Sequence, residues 1–208
     1  TKVDKDKKTI INTLEAHKDR LIEISDNIWE AAEPALLEFK SSKYLWDYAE
    51  ENGFKVTKGV ADIPTAFTAE YGSGRPIIGI MGEFDANPGI SQKKQPTKEP
   101  LVKGAAGHGC GHNLFGTASL GAAIAIKEMI ESGEISGTVR FYGTPAEETI
   151  FAKVWMVRAG LFDDLDVCMD WHPGDEIEAS TQSSKALVDF RLRFYGDASH
   201  ASGDPWNG

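Results

Sequence analysis

The strongest constraint on the fold is a series of short apolar runs that alternate with segments of helical periodicity. Residues 76–82 (PIIGIMG) have the length and composition of a strand that is covered on both faces. Residues 138–142 (TVRFY) are typical of a buried strand, and residues 166–171 (DVCMDW) of a further strand. Residues 116–130 between the first two runs are small and apolar, which indicates a helix packed closely against a sheet. This order predicts an α/β fold with a mixed, mainly parallel sheet flanked by helices.

Further elements are predicted before and after this central alternation. Periodicity predicts two helices and two strands ahead of it, at residues 5–32, 41–52, 54–60 and 65–71. After residue 180 the polar run STQSS gives way to ALVDFRLRFYG, which has the alternation of a half-exposed antiparallel strand. We therefore predict a hinge at residues 182–185, with one domain over residues 1–183 and the start of a second over residues 184–208.

Composition narrows the class of function. The net charge of −10, with no long basic stripe, argues against a nucleic-acid partner. No apolar run is long enough to cross a bilayer, and the start of the chain has no signal-peptide pattern. The two cysteines, Cys110 and Cys168, are too few for a disulfide framework, so the cytoplasm is the expected compartment. Cys168 lies in an apolar run and is predicted to be a buried core thiol.

Side chains suited to metal binding and acid–base chemistry follow the predicted strands or precede the predicted helix. These candidates, in chain order, are Asp85, Cys110, His112, Glu147, Glu148 and His172. Because open α/β sheets place their ligands beyond the carboxyl ends of the strands, we expect these groups to converge at one sheet edge.

Thiolate, imidazole and carboxylate together suit Zn²⁺ or a neighbouring ion such as Mn²⁺. Of two adjacent glutamates, one can bind metal while the other takes the proton from a metal-activated water, which is the chemistry of carbonyl hydrolysis. Two alternatives remain open for Cys110 and His112: a structural metal clip, or a Cys–His nucleophile pair. His108 is left without a role.

The motifs GEFDA, GHGCGHN, TPAEE, the His172-Pro173 strand end and GDASHA occur in this order along nearly the whole chain. Together they resemble the M20 metallopeptidase/amidohydrolase family, in its branch of N-acyl-amino-acid amidohydrolases. The resemblance implies a catalytic domain that binds two divalent metal ions, Zn or Mn, and a smaller α+β lid domain that mediates dimerisation. Residues 1–183 would then be the first part of the catalytic domain and residues 184–208 the start of the lid, in a truncated chain.

The resemblance also assigns roles to the candidate residues. The implied metal ligands are Cys110, His112, Glu148 and His172. Glu147 would be the general base, and Asp85 would hydrogen-bond a ligand and orient it. His200, in the lid, would polarise the scissile carbonyl in the site of the other protomer.

Three positions depart from the family pattern. Glu83 stands where many relatives have a histidine ligand, and Asn113 stands where many have an aspartate. Residues 149–152 (TIFA) replace glycines that are common in relatives, so the local shape of the pocket is expected to differ.

The expected function is metal-dependent hydrolysis of the amide bond of an N-acyl or aminobenzoyl amino acid, such as p-aminobenzoyl-glutamate. The alternatives are an M20-type dipeptidase and a non-catalytic partner subunit of such a hydrolase. The expected partners are this small-molecule substrate and further subunits, in a homodimer or a hetero-oligomer formed through the lid, with neither nucleic acid nor membrane. The 208 residues alone are expected to be inactive.

Overall fold

The computed structural model describes residues 1–179, 186–188 and 190–208. Its contacts divide the chain into two compact units, Thr1–Gly174 and Asp175–Gly208. The predicted hinge at residues 182–185 lies outside the described residues, so the domain boundary there stays a prediction. Among the helices described, none is long and apolar enough to cross a membrane.

The sheet of the first unit has five strands among the described residues. They are β1 (Lys55–Lys58), β2 (Phe67–Ser73), β3 (Ile77–Gly82), β4 (Gly137–Gly143) and β5 (Val167–Met169). Their spatial order is β1-β2-β4-β3-β5. Strand β3 runs parallel to β4 and β5, whereas β2 is antiparallel to both of its neighbours, β1 and β4. Four strands therefore point the same way, which confirms the predicted mixed, mainly parallel sheet.

Five α-helices accompany this sheet in the described part of the chain. They are α1 (Lys2–Ala31), α2 (Phe39–Glu51), α3 (His112–Glu131), α4 (Glu147–Ile150) and α5 (Ala152–Arg158). The largest core cluster joins α1, α2 and α3 to one face of the sheet, where the rings of Phe67 and Phe141 pack against each other. Tyr142, the next residue along β4, packs with Ala152 and Met156 of α5 in a second cluster. Because successive strand residues point to opposite faces, β4 is covered on both sides, as predicted.

Helix α3 begins at His112, four residues before the predicted start. Gly111 precedes it in the left-handed conformation, with φ of 75°, so the chain turns sharply into the helix. A Cβ on Gly116 would lie 2.6 Å from the carbonyl oxygen of Glu83, so only glycine lets the helix approach the end of β3 this closely. This approach brings His112 to the sheet edge.

Two predictions from apolar patterns are wrong. Cys168 is exposed, not buried, because β5 lies at the edge of the sheet that the described residues form and pairs there with β3. Residues 186–188 and 190–196 form no strand, although their sequence alternates. An isolated alternating segment gains no ladder hydrogen bonds, and the described residues of the second unit offer no other strand for it to pair with.

Candidate metal centre

The end of β3 contributes two buried carboxylates to the carboxyl edge of the sheet. Glu83 and Asp85 are 5% and 1% exposed, whereas the intervening Phe84 points into the main core cluster. The alternation of side chains along an extended segment explains why both acids face the same side. The motif GEFDA therefore anchors itself in the core through its aromatic residue and presents its two acids to the site.

His112, which begins α3, lies at the centre of these acids. Its Nδ1 is 3.0 Å from Asp85 Oδ1, and its Nε2 is 2.9 Å from Glu83 Oε2. The carboxylates of Glu148 and Glu147 lie 3.7 and 4.0 Å from the same Nε2. Burial alone would lower the pKa of His112, but the hydrogen bond with Asp85 and the nearby carboxylate of Glu83 outweigh it and raise the pKa to about 10.

The turn before α3 supplies the thiol. Cys110 Sγ, a ring nitrogen of His112 and a ring nitrogen of His172 all lie within 4.8 Å of one another. Asn87 holds this turn, because its Oδ1 accepts hydrogen bonds from the backbone N–H groups of Gly109 and Cys110, at 3.0 and 3.2 Å. Burial and the neighbouring carboxylate of Glu148 raise the pKa of the Cys110 thiol.

The turn after β4 supplies the two glutamates. Ala146 has a left-handed backbone, with φ of 57°, and α4 starts directly after it with Glu147 and Glu148. The backbone N–H of Glu148 donates to Asp85 Oδ2 at 2.9 Å. Asp85 therefore connects His112 with the glutamate turn. Its Oδ1 contacts His112, and its Oδ2 accepts from the backbone of Glu148.

Two groups of possible metal ligands share His112. One is Cys110, His112 and His172, and the other is Glu83, His112 and Glu147. Three buried atoms at this point, Glu83 Oε2, His112 Nε2 and Glu148 Oε1, lack a hydrogen bond of acceptable geometry. Buried polar atoms in native proteins are normally satisfied, so this cluster of orphaned donor atoms fits a bound cation. Thiolate, imidazole and carboxylate are also a donor set that Zn²⁺ and Mn²⁺ accept.

Of the residues singled out from the sequence, all those in the first unit meet at this edge; they are Asp85, Cys110, His112, Glu147, Glu148 and His172. His200 belongs to the second unit, where its Nδ1 accepts a hydrogen bond from the backbone of Gly203 at 2.9 Å. His108 stays outside both ligand groups; its Nε2 lies 3.1 Å from the carbonyl of Ile28, and burial lowers its pKa to about 4.

The departures from the family pattern have structural consequences. Asn113 turns away from the acids and donates to Ser25 Oγ of α1 at 3.0 Å. Phe151, with φ of 54°, separates the short helices α4 and α5. Lys153 of α5 forms an ion pair with Glu83 Oε1, which makes it a cationic neighbour of the cluster.

Sequence reasoning missed three groups in this arrangement: Glu83 as a possible ligand, Asn87 as the holder of the cysteine turn, and Lys153. Glu83 could have been found from the sequence. It lies two residues before Asp85, and side chains two residues apart in an extended segment face the same side. Lys153 could not be found in this way, because its contact depends on how α5 packs.

The fold and this cluster define an α/β domain with a candidate metal centre at the carboxyl edge of its sheet. The sequence profile of peptidase family M20/M25/M40 matches residues 79–197, a span that contains the whole cluster. The chain belongs to this family.

Individual relatives agree with this membership. The chain is 44% identical to one of the subunits of the p-aminobenzoyl-glutamate hydrolase of Escherichia coli (strain K12), over 94% of this chain and 41% of the relative. It is 31% identical to the Xaa-Arg dipeptidase of Homo sapiens, over 91% of this chain and 43% of that protein. The chain thus spans about two fifths of the length of these relatives.

A solved structure gives the same result for the fold. The Bacillus subtilis YXEP protein, described as a dinuclear metal binding peptidase from the M20 family, superposes with a TM-score of 0.63. The alignment has 27% sequence identity and covers 74% of this chain and 42% of the other.

Proposed function

We propose that the full-length protein is a metal-dependent amidohydrolase that cleaves the amide bond of an N-acyl or aminobenzoyl amino acid, such as p-aminobenzoyl-glutamate. The observation that carries this proposal is the meeting of Glu147 and Glu148 with Cys110, His112 and His172 at one sheet edge. A structural metal site usually closes with Cys and His ligands and has no use for a second carboxylate beside the metal. The 44% identity to the E. coli p-aminobenzoyl-glutamate hydrolase chain supports the substrate class.

The proposed cofactor is a pair of divalent metal ions, Zn²⁺ or Mn²⁺. Cys110, His112, Glu148 and His172 would hold them, and Glu83 is close enough to His112 to add a ligand. Two observations support a pair: the two overlapping ligand groups, and the name of the B. subtilis relative as a dinuclear metal binding peptidase.

The bound metal would supply Lewis acidity, lowering the pKa of water and polarising the substrate carbonyl. Glu147 would accept the proton of the attacking water as its oxygen adds to the carbonyl carbon. The same carboxyl would then give this proton to the amide nitrogen as the carbon–nitrogen bond breaks, releasing a carboxylate and an amine. Asp85 would keep His112 oriented by accepting from Nδ1, which leaves Nε2 directed towards Glu83 and Glu148.

His200 is proposed to act from the lid as a hydrogen-bond donor to the scissile carbonyl in the site of another protomer. This proposal requires an oligomer, either a homodimer or a hetero-oligomer formed through the lid. The E. coli relative is named as one of the subunits of its hydrolase, which supports an assembly of more than one chain. Free Cys110 and Cys168 are compatible with a reducing cytoplasm, which is the proposed location.

A dipeptidase of the same family is the second candidate, favoured by the 31% identity to the Xaa-Arg dipeptidase. The chemistry at Glu147 would be unchanged, and only the acyl and amino groups beside the scissile bond would differ.

The test uses the full-length protein, stripped of metal and reloaded with Zn²⁺ or Mn²⁺. We expect release of glutamate from p-aminobenzoyl-glutamate by the loaded protein, and none by the metal-free protein. Faster cleavage of Xaa-Arg dipeptides than of any N-acyl or aminobenzoyl amino acid would favour the dipeptidase. A protein that binds metal but cleaves neither class, alone or in its oligomer, would be a non-catalytic partner chain, and the proposed function would be wrong.

A further inference from the structure

The segment between α1 and α2 contacts the ends of β3 and β4, two of the three strand ends that contribute to the candidate metal centre. The backbone carbonyl of Glu33 accepts a hydrogen bond from Ala86, the residue after Asp85, at 2.9 Å. The carboxylate of Glu33 then caps α2 by accepting from the backbone N–H groups of Lys40 and Ser41. The segment is thereby fixed at both of its ends.

Glu38, at the other end of this segment, is fully buried. Its Oε1 accepts a hydrogen bond from the backbone N–H of Ala146 at 2.9 Å, and its Oε2 accepts one from Thr65 Oγ1 at 3.1 Å. Burying a carboxyl group is unfavourable unless its oxygens are hydrogen-bonded. The two hydrogen bonds of Glu38 meet this requirement, and they link Ala146 with Thr65. Burial raises the pKa of Glu38 to about 7.

Ala146 is the residue on which this contact acts. It is fully buried, it has the left-handed backbone conformation that L-residues seldom adopt, and it directly precedes Glu147 and Glu148. Without Glu38, its N–H group would be buried and unpaired, and the unusual conformation would lose its support. The direction in which α4 presents both glutamates therefore depends on this hydrogen bond.

We propose that Glu38 is a positioning residue, which fixes the Ala146 turn so that Glu147 and Glu148 face the metal centre. It touches neither substrate nor metal, and it acts only through the backbone of Ala146. This inference rests on the proposed hydrolase function, and it predicts effects on metal affinity as well as on turnover.

Three variants of the full-length protein test it. Glu38→Asp keeps the charge but shortens the side chain by one methylene, so that it no longer reaches Ala146. Glu38→Gln removes the charge but keeps an oxygen that can accept from Ala146, and its amide can donate to Thr65. Thr65→Val is the matched control, because it removes only the other hydrogen bond of the same carboxylate. Folding of each is checked by circular dichroism and thermal unfolding.

Titration with Co²⁺, followed by the visible absorption of the bound ion, measures metal affinity without reference to activity. We expect Glu38→Asp to weaken Co²⁺ binding about 10-fold to 100-fold, the usual loss when a group that orients a metal site is removed. Its kcat should fall by a similar factor, on the order of 10-fold to 100-fold, with KM changed much less, since a small displacement of the base slows the reaction. Glu38→Gln and Thr65→Val should stay within about threefold of wild type in both measurements.

The outcomes separate the two proposals. Equal Co²⁺ affinity and equal kcat per folded molecule in Glu38→Asp and wild type would overturn the positioning role. A loss in Glu38→Gln as large as in Glu38→Asp would also overturn it, because charge and not reach would then matter. If wild type has no hydrolytic activity, the proposed function fails, while the order of Co²⁺ affinities still decides the role of Glu38.

Discussion

Replacing Glu147 with glutamine is expected to reduce kcat about 10²-fold to 10⁴-fold, the contribution usual for a positioned general base. Glutamine has nearly the same shape but cannot accept a proton from water. The side chain of Glu147 is 34% exposed, whereas that of Glu148 is 14% exposed and that of His112 is 1% exposed. Of these groups, Glu147 is thus the one most open to an entering water and substrate.

Metal content distinguishes this explanation from a general loss of the site. Elemental analysis of Glu147→Gln should give the same amount of metal per chain as wild type, because all the proposed metal ligands are unchanged. Glu15→Gln, on the exposed side of α1, is a matched control and should leave kcat unchanged. Retention of more than about a tenth of the wild-type rate in Glu147→Gln would show that another group is the base.

Replacing His112 with alanine is expected to have the largest effect on metal binding. This residue belongs to both groups of possible ligands, and its ring lies between Asp85 and Glu83 at 3.0 and 2.9 Å. Asp85→Asn should have a smaller effect, about 10-fold to 100-fold in affinity, because Asp85 acts on the metal through the histidine. We therefore expect metal affinity to fall in the order wild type, Asp85→Asn, His112→Ala.

His17→Ala provides the matched histidine control. His17 lies outside both ligand groups, with Nδ1 2.5 Å from the hydroxyl of Tyr48 and Nε2 3.1 Å from Glu128. The His17→Ala protein should bind Zn²⁺ with the affinity of wild type, as measured by competition with a chromogenic chelator. Wild-type Zn²⁺ affinity in a folded His112→Ala protein would mean that the metal binds elsewhere.

Much of this site could be predicted because each of its groups lies just after a strand or at the start of a buried helix. The apolar runs before Asp85, Glu147 and His172 locate the strand ends, and parallel strands bring their carboxyl ends to one edge. The Cys110 turn precedes α3, whose run of small, apolar residues is also visible in the sequence. Local patterns therefore suffice to predict which side chains converge.

The contacts that hold the site together could not be predicted in this way. Glu38 reaches Ala146 across 108 positions of sequence, and this contact exists only after α2 has packed beside the sheet. The exposure of Cys168 depends on β5 being an edge strand, a fact of sheet order that an apolar run does not contain. The local sequence thus predicts which reactive side chains lie at the strand ends, whereas the contacts that hold these side chains in place depend on tertiary packing.

The central claim is that Cys110 is a metal ligand and not a nucleophile. X-ray absorption spectroscopy of the Zn²⁺-loaded full-length protein tests it most directly, with Cys110→Ser as the control. We predict a sulfur scatterer at about 2.3 Å from zinc beside nitrogen and oxygen at about 2.0–2.2 Å, with the sulfur absent in Cys110→Ser. A wild-type spectrum with nitrogen and oxygen neighbours alone would contradict the account.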